Sequence, residues 1–347
     1  MKFRLRKLSL LLFSLIIPLW IIRGLGYGPD SEGYYNAFIE SPDIFVNAIL
    51  EVFNKPLTSE AFEISFYLLN LITKAVFDSY LIYTILFGVI YVFLLKVLIY
   101  EVKKDVELDN FTLLSGILLI LAPLQIFWFS RQGLFSILLF LSLIYSARNK
   151  NLKSFLIFLV GATIHIKSAV LSLPLLLLVR MRFNVLLIIF PVLCVFGLLI
   201  QDPTSIHFIA TLLPDSIAGP VIGYEERYRA SWNKPSSISL LVLGILCFTI
   251  YKKYEFDQSP SLKAILVLML LIIIYALISS AGSVLARMQI VYFICVPFIA
   301  AILVKKMGGY LRAFFVICFM AYCLNFVTSE QNLAYFLDRY QPPEEAP

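Results

Sequence analysis

Apolar runs broken by short polar turns recur along almost the whole chain. After a basic start at Lys2, Arg4, Arg6 and Lys7, Leu8–Ile22 is apolar. Further runs lie near 81–100, 111–129, 133–147, 154–166, 168–180, 183–200, 237–251, 264–281, 288–304 and 312–327. They are continuous rather than alternating with the period of two that a barrel strand requires, so each predicts a helix. Several fall short of the ~17–25 residues of a straight span, above all the pair meeting at Ile164–Ala169. That pair predicts a broken or re-entrant hairpin, which membrane proteins tolerate only inside the bundle. The first run resembles a secretory signal, but Trp20, Arg23 and Leu25 offer no small-residue cleavage site, so it predicts an uncut first helix.

Composition turns the pattern into a class. Hydrophobic residues make up 61% and charged residues 14% of the 347 positions, against roughly 25% charged in an ordinary soluble domain. The mean hydropathy is +0.90. A soluble enzyme cannot hide so much apolar surface, and a disordered chain has the opposite composition. The fold class predicted is an all-α polytopic membrane protein, one integral domain over 1–347 with about eleven (ten to twelve) transmembrane helices.

The segment Glu60–Asp78 decides the topology. Glu60, Glu63, Asn70 and Lys74 break its apolar face, and counting it as a span would reverse every later loop. Read instead as an interfacial or re-entrant helix, it leaves 17 Lys/Arg in the 46 residues of the inner pieces. The outer pieces then carry ten in about 126 residues. This predicts a cytoplasmic N-terminus, an external C-terminal tail over 328–347, and external loops at 23–80 and 201–236. The net charge of +6 is accounted for by these flanks, so no nucleic-acid partner is expected. The five cysteines lie inside apolar runs without a Cys-x-x-Cys and read as small buried hydrophobes.

Inner loops are too short for a catalytic domain, which places any chemistry in the membrane or on its outer face. Basic residues there run against the positive-inside rule and so are functional candidates: Arg131, Lys167, Arg227, Arg229 and Arg287. Arg131, between Trp128-Phe129 and Gln132, presents a fork able to grip a phosphate, with an interfacial anchor as the bland alternative. His165 beside Lys167 at the hairpin break reads equally as a base or as a hydrogen-bonded structural residue. Tyr224-Glu225-Glu226-Arg227-Tyr228-Arg229, with Trp232, suits stacking on sugar rings, or is a solvated amphipathic turn. Asp30 and Tyr34 follow the first span. No P-loop, dinucleotide glycine pattern, His-Glu-x-x-His or outward Asp-x-Asp occurs, so no metal or cofactor is expected.

These outer residues arrive in an order that resembles the EpsG family of bacterial polysaccharide polymerases, a branch of the Wzy-like O-antigen and capsule polymerases. Gly28-Pro29-Asp30-x3-Tyr34-x3-Phe38 is similar to the family's Gly-x-Asp-Tyr-x-x-Tyr-x-x-x-Phe, with Ser31 for the first tyrosine. Glu63-Ile64-Ser65-Phe66-Tyr67-Leu68-Leu69-Asn70 resembles Glu-Pro-Gly-Phe-x-Leu-Leu-Asn without the Pro-Gly. Arg131-Gln132-Gly133-Leu134 and His165-Ile166-Lys167-Ser168-Ala169 resemble Arg-Gln-x-Leu/Ile-Ala and Phe-His-x-Ser-Ala.

The resemblance implies a polyprenyl-pyrophosphate-linked oligosaccharide as both donor and acceptor, delivered to the outer leaflet by a flippase. A chain-length regulator is a possible further partner. It also implies roles: Arg131 on the pyrophosphate with Lys167 and Arg287 assisting, His165 as base, and Asp30 or Glu63 as substitute. Tyr34, Gln132, Glu225, Arg227, Arg229 and Trp232 would bind substrate sugars. A lipid-linked oligosaccharide flippase, an O-antigen ligase and a membrane acyltransferase are the rival functions.

Overall fold

The computed structural model describes residues 2–27, 31–41, 46, 63–123, 125–126, 130–182, 185, 259–278 and 294–328. These are helical, with no strand among them. In chain order they form α1 (Lys2–Gly24), α2 (Ser31–Ile39), α3 (Ile64–Phe77), α4 (Tyr80–Val102) and α5 (Asn110–Gly116), which runs on into a π turn at Ile117–Leu121. Then come α6 (Ser130–Ala147), α7 (Asn151–Ala162), α8 (Ile166–Ser172), α9 (Leu175–Leu178), α10 (Pro260–Ile278), α11 (Cys295–Lys306) and α12 (Gly309–Thr328). They coincide with nine of the predicted apolar runs, and the runs near 183–200 and 237–251 lie outside the described residues. Length and composition alone qualify two of the described helices, α4 and α6, as membrane crossings.

α1 and α4 pack antiparallel. The Trp20 ring lies 5.2 Å from Phe87 and 5.9 Å from Tyr91, while Gly24 meets Leu81 and Thr84. Gly88 makes this approach possible, because a Cβ there would sit 2.6 Å from the Trp20 ring. Small residues at such crossings let helix backbones approach where lipid supplies no hydrophobic drive. The antiparallel pairing means that the intervening α3 does not reverse the chain. The described part of the 60–78 segment is the 14-residue helix α3, Ile64–Phe77. Lys74 of α3 donates to the carbonyl of Ile39 at the end of α2.

α6 is the central helix, buried along nearly all of its length. α7 returns against it through reciprocal bonds, Ser142 Oγ to Ser154 O at 2.8 Å and Ser154 Oγ to Ser142 O at 2.9 Å. At its other side Tyr91 Oη donates to Gln125 Oε1 at 2.6 Å, and Gln125 Nε2 to Ser136 Oγ at 2.9 Å. That chain satisfies three buried polar side chains on α4, on the segment between the π turn and α6, and on α6.

The end opposite α3 is basic and cross-linked. Arg148 donates to the carboxylates of Glu101 and, at 2.8 Å, Asp105, whose oxygen also receives Ser261 Oγ–H at 2.6 Å. Arg312 pairs with Asp109 at 2.6 Å, and Asp109 N–H donates to Ala301 O at 3.0 Å. Burial raises the Asp109 carboxyl, but bonds from Thr112 and Arg312 more than offset it and hold it below its ordinary value. Of the pieces predicted to lie inside, 101–110, 148–153, 305–312 and the described part of 252–263, residues 259–263, therefore meet at this one end. A fifth, 180–182, joins them through Arg180 Nε, which donates to Ser146 Oγ at 3.0 Å.

Candidate functional site

The opposite end gathers the motif residues. α1 stops at Arg23-Gly24, and Gly26 turns the chain with φ of 95°, a left-handed value that suits glycine. Arg23 is fully buried, donates to Tyr27 O at 3.2 Å and sits 5.0 Å from the centre of the Tyr34 ring. Tyr34 lies on α2, edge-on to Phe66 at 5.7 Å. Phe66 is in the first turn of α3, where its N–H bonds the Glu63 carbonyl at 3.1 Å.

Arg131, at the second position of α6, reaches into this group. Its backbone N–H donates to Tyr34 Oη at 3.2 Å, and its Nη1 donates to the Glu63 carboxylate. The guanidinium lies 4.8 Å from the Phe66 ring centre and 5.5 Å from that of Tyr34. Glu63 is 2% exposed at its side chain and Arg131 26%. The carboxylate is thus deep and the guanidinium opens toward the surface. Two guanidinium groups, Arg23 and Arg131, lie against one tyrosine ring, each gaining the attraction of its π face.

The hairpin break is here too. α7 rises only about 18 Å over its 12 residues, well short of a bilayer core of about 30 Å. In the turn that follows, Thr163, Ile164 and His165 are half-buried. Ser65 N–H donates to Thr163 O at 3.1 Å, and the Ser65 and Thr163 hydroxyls are 2.7 Å apart. This clasp fixes the His165 turn to the start of α3, two residues beyond Glu63. His165 caps α8, its Nδ1 accepting the Ser168 N–H at 3.2 Å. A backbone N–H is always a donor, so the proton of the neutral ring is on Nε2.

The structure therefore brings Tyr34, Glu63, Arg131, buried Gln132 and His165 to one end. Of Lys167 only the backbone is described, in the first turn of α8. Asp30, Glu225, Arg227, Arg229, Trp232 and Arg287 lie outside the described residues. Sequence reading considered Arg23 only as a residue unsuited to a cleavage site and passed over it as a site candidate, although its basic charge at the end of the first apolar run was a visible signal. It also missed the Ser65–Thr163 clasp, which no local pattern announces. Among the described residues no three His, Cys, Asp or Glu side chains gather at a point, so no metal ligands are nominated.

Four short motifs, spread from Tyr34 to Ser168, thus converge in space. Residues 9–337 match the model of the EpsG family. The chain belongs to the EpsG family. No curated protein and no solved structure matches it. EpsG membership makes the chain a helical membrane protein and gives it a polymerase-like role in polysaccharide biosynthesis. Within the EpsG match, side chains of the first three motifs meet at Tyr34, Glu63, Phe66 and Arg131, and the fourth is joined to them through the Ser65–Thr163 clasp.

Proposed function

We propose that the chain joins polyprenyl-pyrophosphate-linked oligosaccharide repeat units into a surface polysaccharide at the outer face of the cytoplasmic membrane. The convergence of Tyr34, Glu63, Arg131 and the His165 turn at one helix end is the observation that supports it. In this reading that end faces outward and the cross-linked basic end faces the cytoplasm, in a single integral domain of about eleven spans.

The acceptor hydroxyl oxygen bonds to the anomeric carbon of the donor chain as that carbon's bond to the pyrophosphate oxygen breaks. Pyrophosphate leaves with the electron pair, and Arg131 meets the developing charge where it forms. Its oxygens compete with Glu63 for the guanidinium, freeing that carboxylate to accept the hydroxyl proton, with Asp30 as the alternative base. Lys167 and Arg287 assist on the pyrophosphate, while Tyr34, Gln132, Glu225, Arg227, Arg229 and Trp232 hold the sugars. No metal is required.

The capped Nδ1 moves His165 away from the base role that the resemblance implies. Protonation at Nδ1 breaks the bond from Ser168, whereas Nε2–H is ready to donate to a phosphate oxygen. His165→Asn preserves a good helix cap and removes that donor. Transfer is expected to fall about 10²-fold or more in a normally folded protein, measured on purified lipid-linked repeat units. Full activity would reduce His165 to a cap.

The function itself is tested by deleting the gene and running the surface polysaccharide on a gel. A ladder collapsing to one repeat unit on its lipid carrier or core is the expected result, because export and attachment still operate. Complete loss of repeat-bearing material would indicate a flippase or ligase, and an intact ladder with altered decoration an acyltransferase.

A further inference from the structure

An apolar groove of about 260 Å³ runs beside the Arg131–Glu63 pair, between α3, α4, the start of α6 and the His165 turn. Ser65, Phe66, Leu69, Ile72, Ile90 and Ile164 are among the residues lining it. Two of these belong to the site as well: Phe66 carries the Arg131 guanidinium on its ring, and Ser65 forms the clasp to Thr163. Ile164 directly precedes His165. The rest of its wall is hydrocarbon, and Leu68, Ile72 and Ile90 in it are exposed.

We infer that this groove holds the first isoprene units of a polyprenyl carrier while its phosphate head lies at Arg131, an inference that rests on the function proposed above. Three observations select a lipid with an anionic head over another occupant. The lining has no charged residue, which suits a hydrocarbon and gives a polar chain nothing to bond. Phe66 in its wall carries on its ring the Arg131 guanidinium, which is partly open to the surface, and a phosphate is the group complementary to it. From Ser65 to Ile72 it follows the helix for about 10 Å, enough for the near end of a long tail whose remainder stays in the bilayer. A volume below the ~300–1,000 Å³ of sites that enclose a whole ligand agrees with partial capture.

The arrangement makes α3 a guide. One face is buried through Phe66, Tyr67, Asn70 and Thr73, and the other offers Leu68 and Ile72 to lipid. A carrier diffusing in the leaflet meets that face first and is led along it to Arg131. The bond to be broken is thereby held at a fixed depth beside the His165 turn.

The test uses the purified full-length protein in nanodiscs and a sugar-free probe, a long-chain polyprenyl phosphate with a benzophenone near its phosphate end. Photocrosslinks are expected in the peptides containing Leu68, Ile72 and Ile90. Ile72→Trp fills the groove from an exposed position and should lower the yield about tenfold, the effect of denying burial to about two carbons of the tail. Leu68→Trp repeats the test at a second exposed site should the first variant fold poorly. Crosslinks that map elsewhere, or that persist in both tryptophan variants, would overturn the inference. The probe carries no sugar, so its capture does not depend on polymerisation. Capture with an intact ladder after gene deletion would keep the groove and discard the polymerase reading, and the reverse pair of results would do the opposite.

Discussion

Arg131→Lys is expected to yield a normally abundant membrane protein that makes no long polysaccharide chains. Lysine keeps the positive charge opposite Glu63 but loses the planar fork and the stacking on Phe66 and Tyr34. Removing one group that meets developing negative charge slows transfer by about 10²–10³-fold, which leaves only short products on a polysaccharide gel. Immunoblotting of membranes checks abundance in the same cells.

Arg131→Ala is the less informative change, because it leaves the Glu63 carboxylate buried without its partner. Breaking a buried ion pair from one side destabilises by about 3–5 kcal/mol, so chain loss and protein loss would coincide. Replacing both residues with methionine removes that penalty and should restore abundance without restoring long chains. Long chains from Arg131→Lys would remove Arg131 from the chemistry.

Arg148→Ala is expected to unfold the opposite end without touching the site. Arg148 joins Glu101 and Asp105, and Asp105 in turn takes the Ser261 N–H at 3.1 Å and its hydroxyl at 2.6 Å. One side chain thus ties the end of α4 to the ends of α6 and α10. Without it two largely buried carboxylates face each other, with Lys104 still paired to Glu101 at 2.7 Å. A loss of about 3 kcal/mol should appear as a lower melting temperature by fluorescence-detected size exclusion in detergent. Adding Asp105→Asn should recover part of it. An unchanged melting temperature would mean that the network is a solvated cluster of little weight.

Much of this arrangement was legible in the sequence, because a bilayer forces charge and apolar length into a simple pattern. The inner pieces identified by their lysines and arginines do meet at one end. The exclusion of 60–78 as a reversing span agrees with α1 and α4 packing antiparallel. Arg131 and Glu63 could be singled out one by one, as charges in the wrong place or in a motif.

Their pairing was not legible, since nothing in a linear reading fixes which carboxylate among Asp30, Glu32 and Glu63 an arginine 68 positions or more away will choose. His165 shows the other limit. Its position at a helix break was visible, but the hydrogen bond that selects its tautomer depends on the backbone path of the next three residues. Arg23 lies in none of the motifs, and its burial against Tyr34 depends on how α2 packs on the end of α1, which no local pattern announces.

The pairing of Glu63 with Arg131 also sets an order of events during synthesis. A ribosome feeding this chain into the membrane delivers α3 before α6, and at ~5–20 residues per second the 68 residues between the two partners take on the order of 3–14 s. Through that interval the acid has no cation to meet, and an apolar setting would refuse it in charged form. At 14 residues α3 rises about 21 Å, too little to cross a bilayer core of about 30 Å, so before α6 arrives Glu63 at its start can stay in contact with water. The brevity of α3 therefore serves assembly, and the Glu63–Arg131 pair closes only when the third motif has left the ribosome.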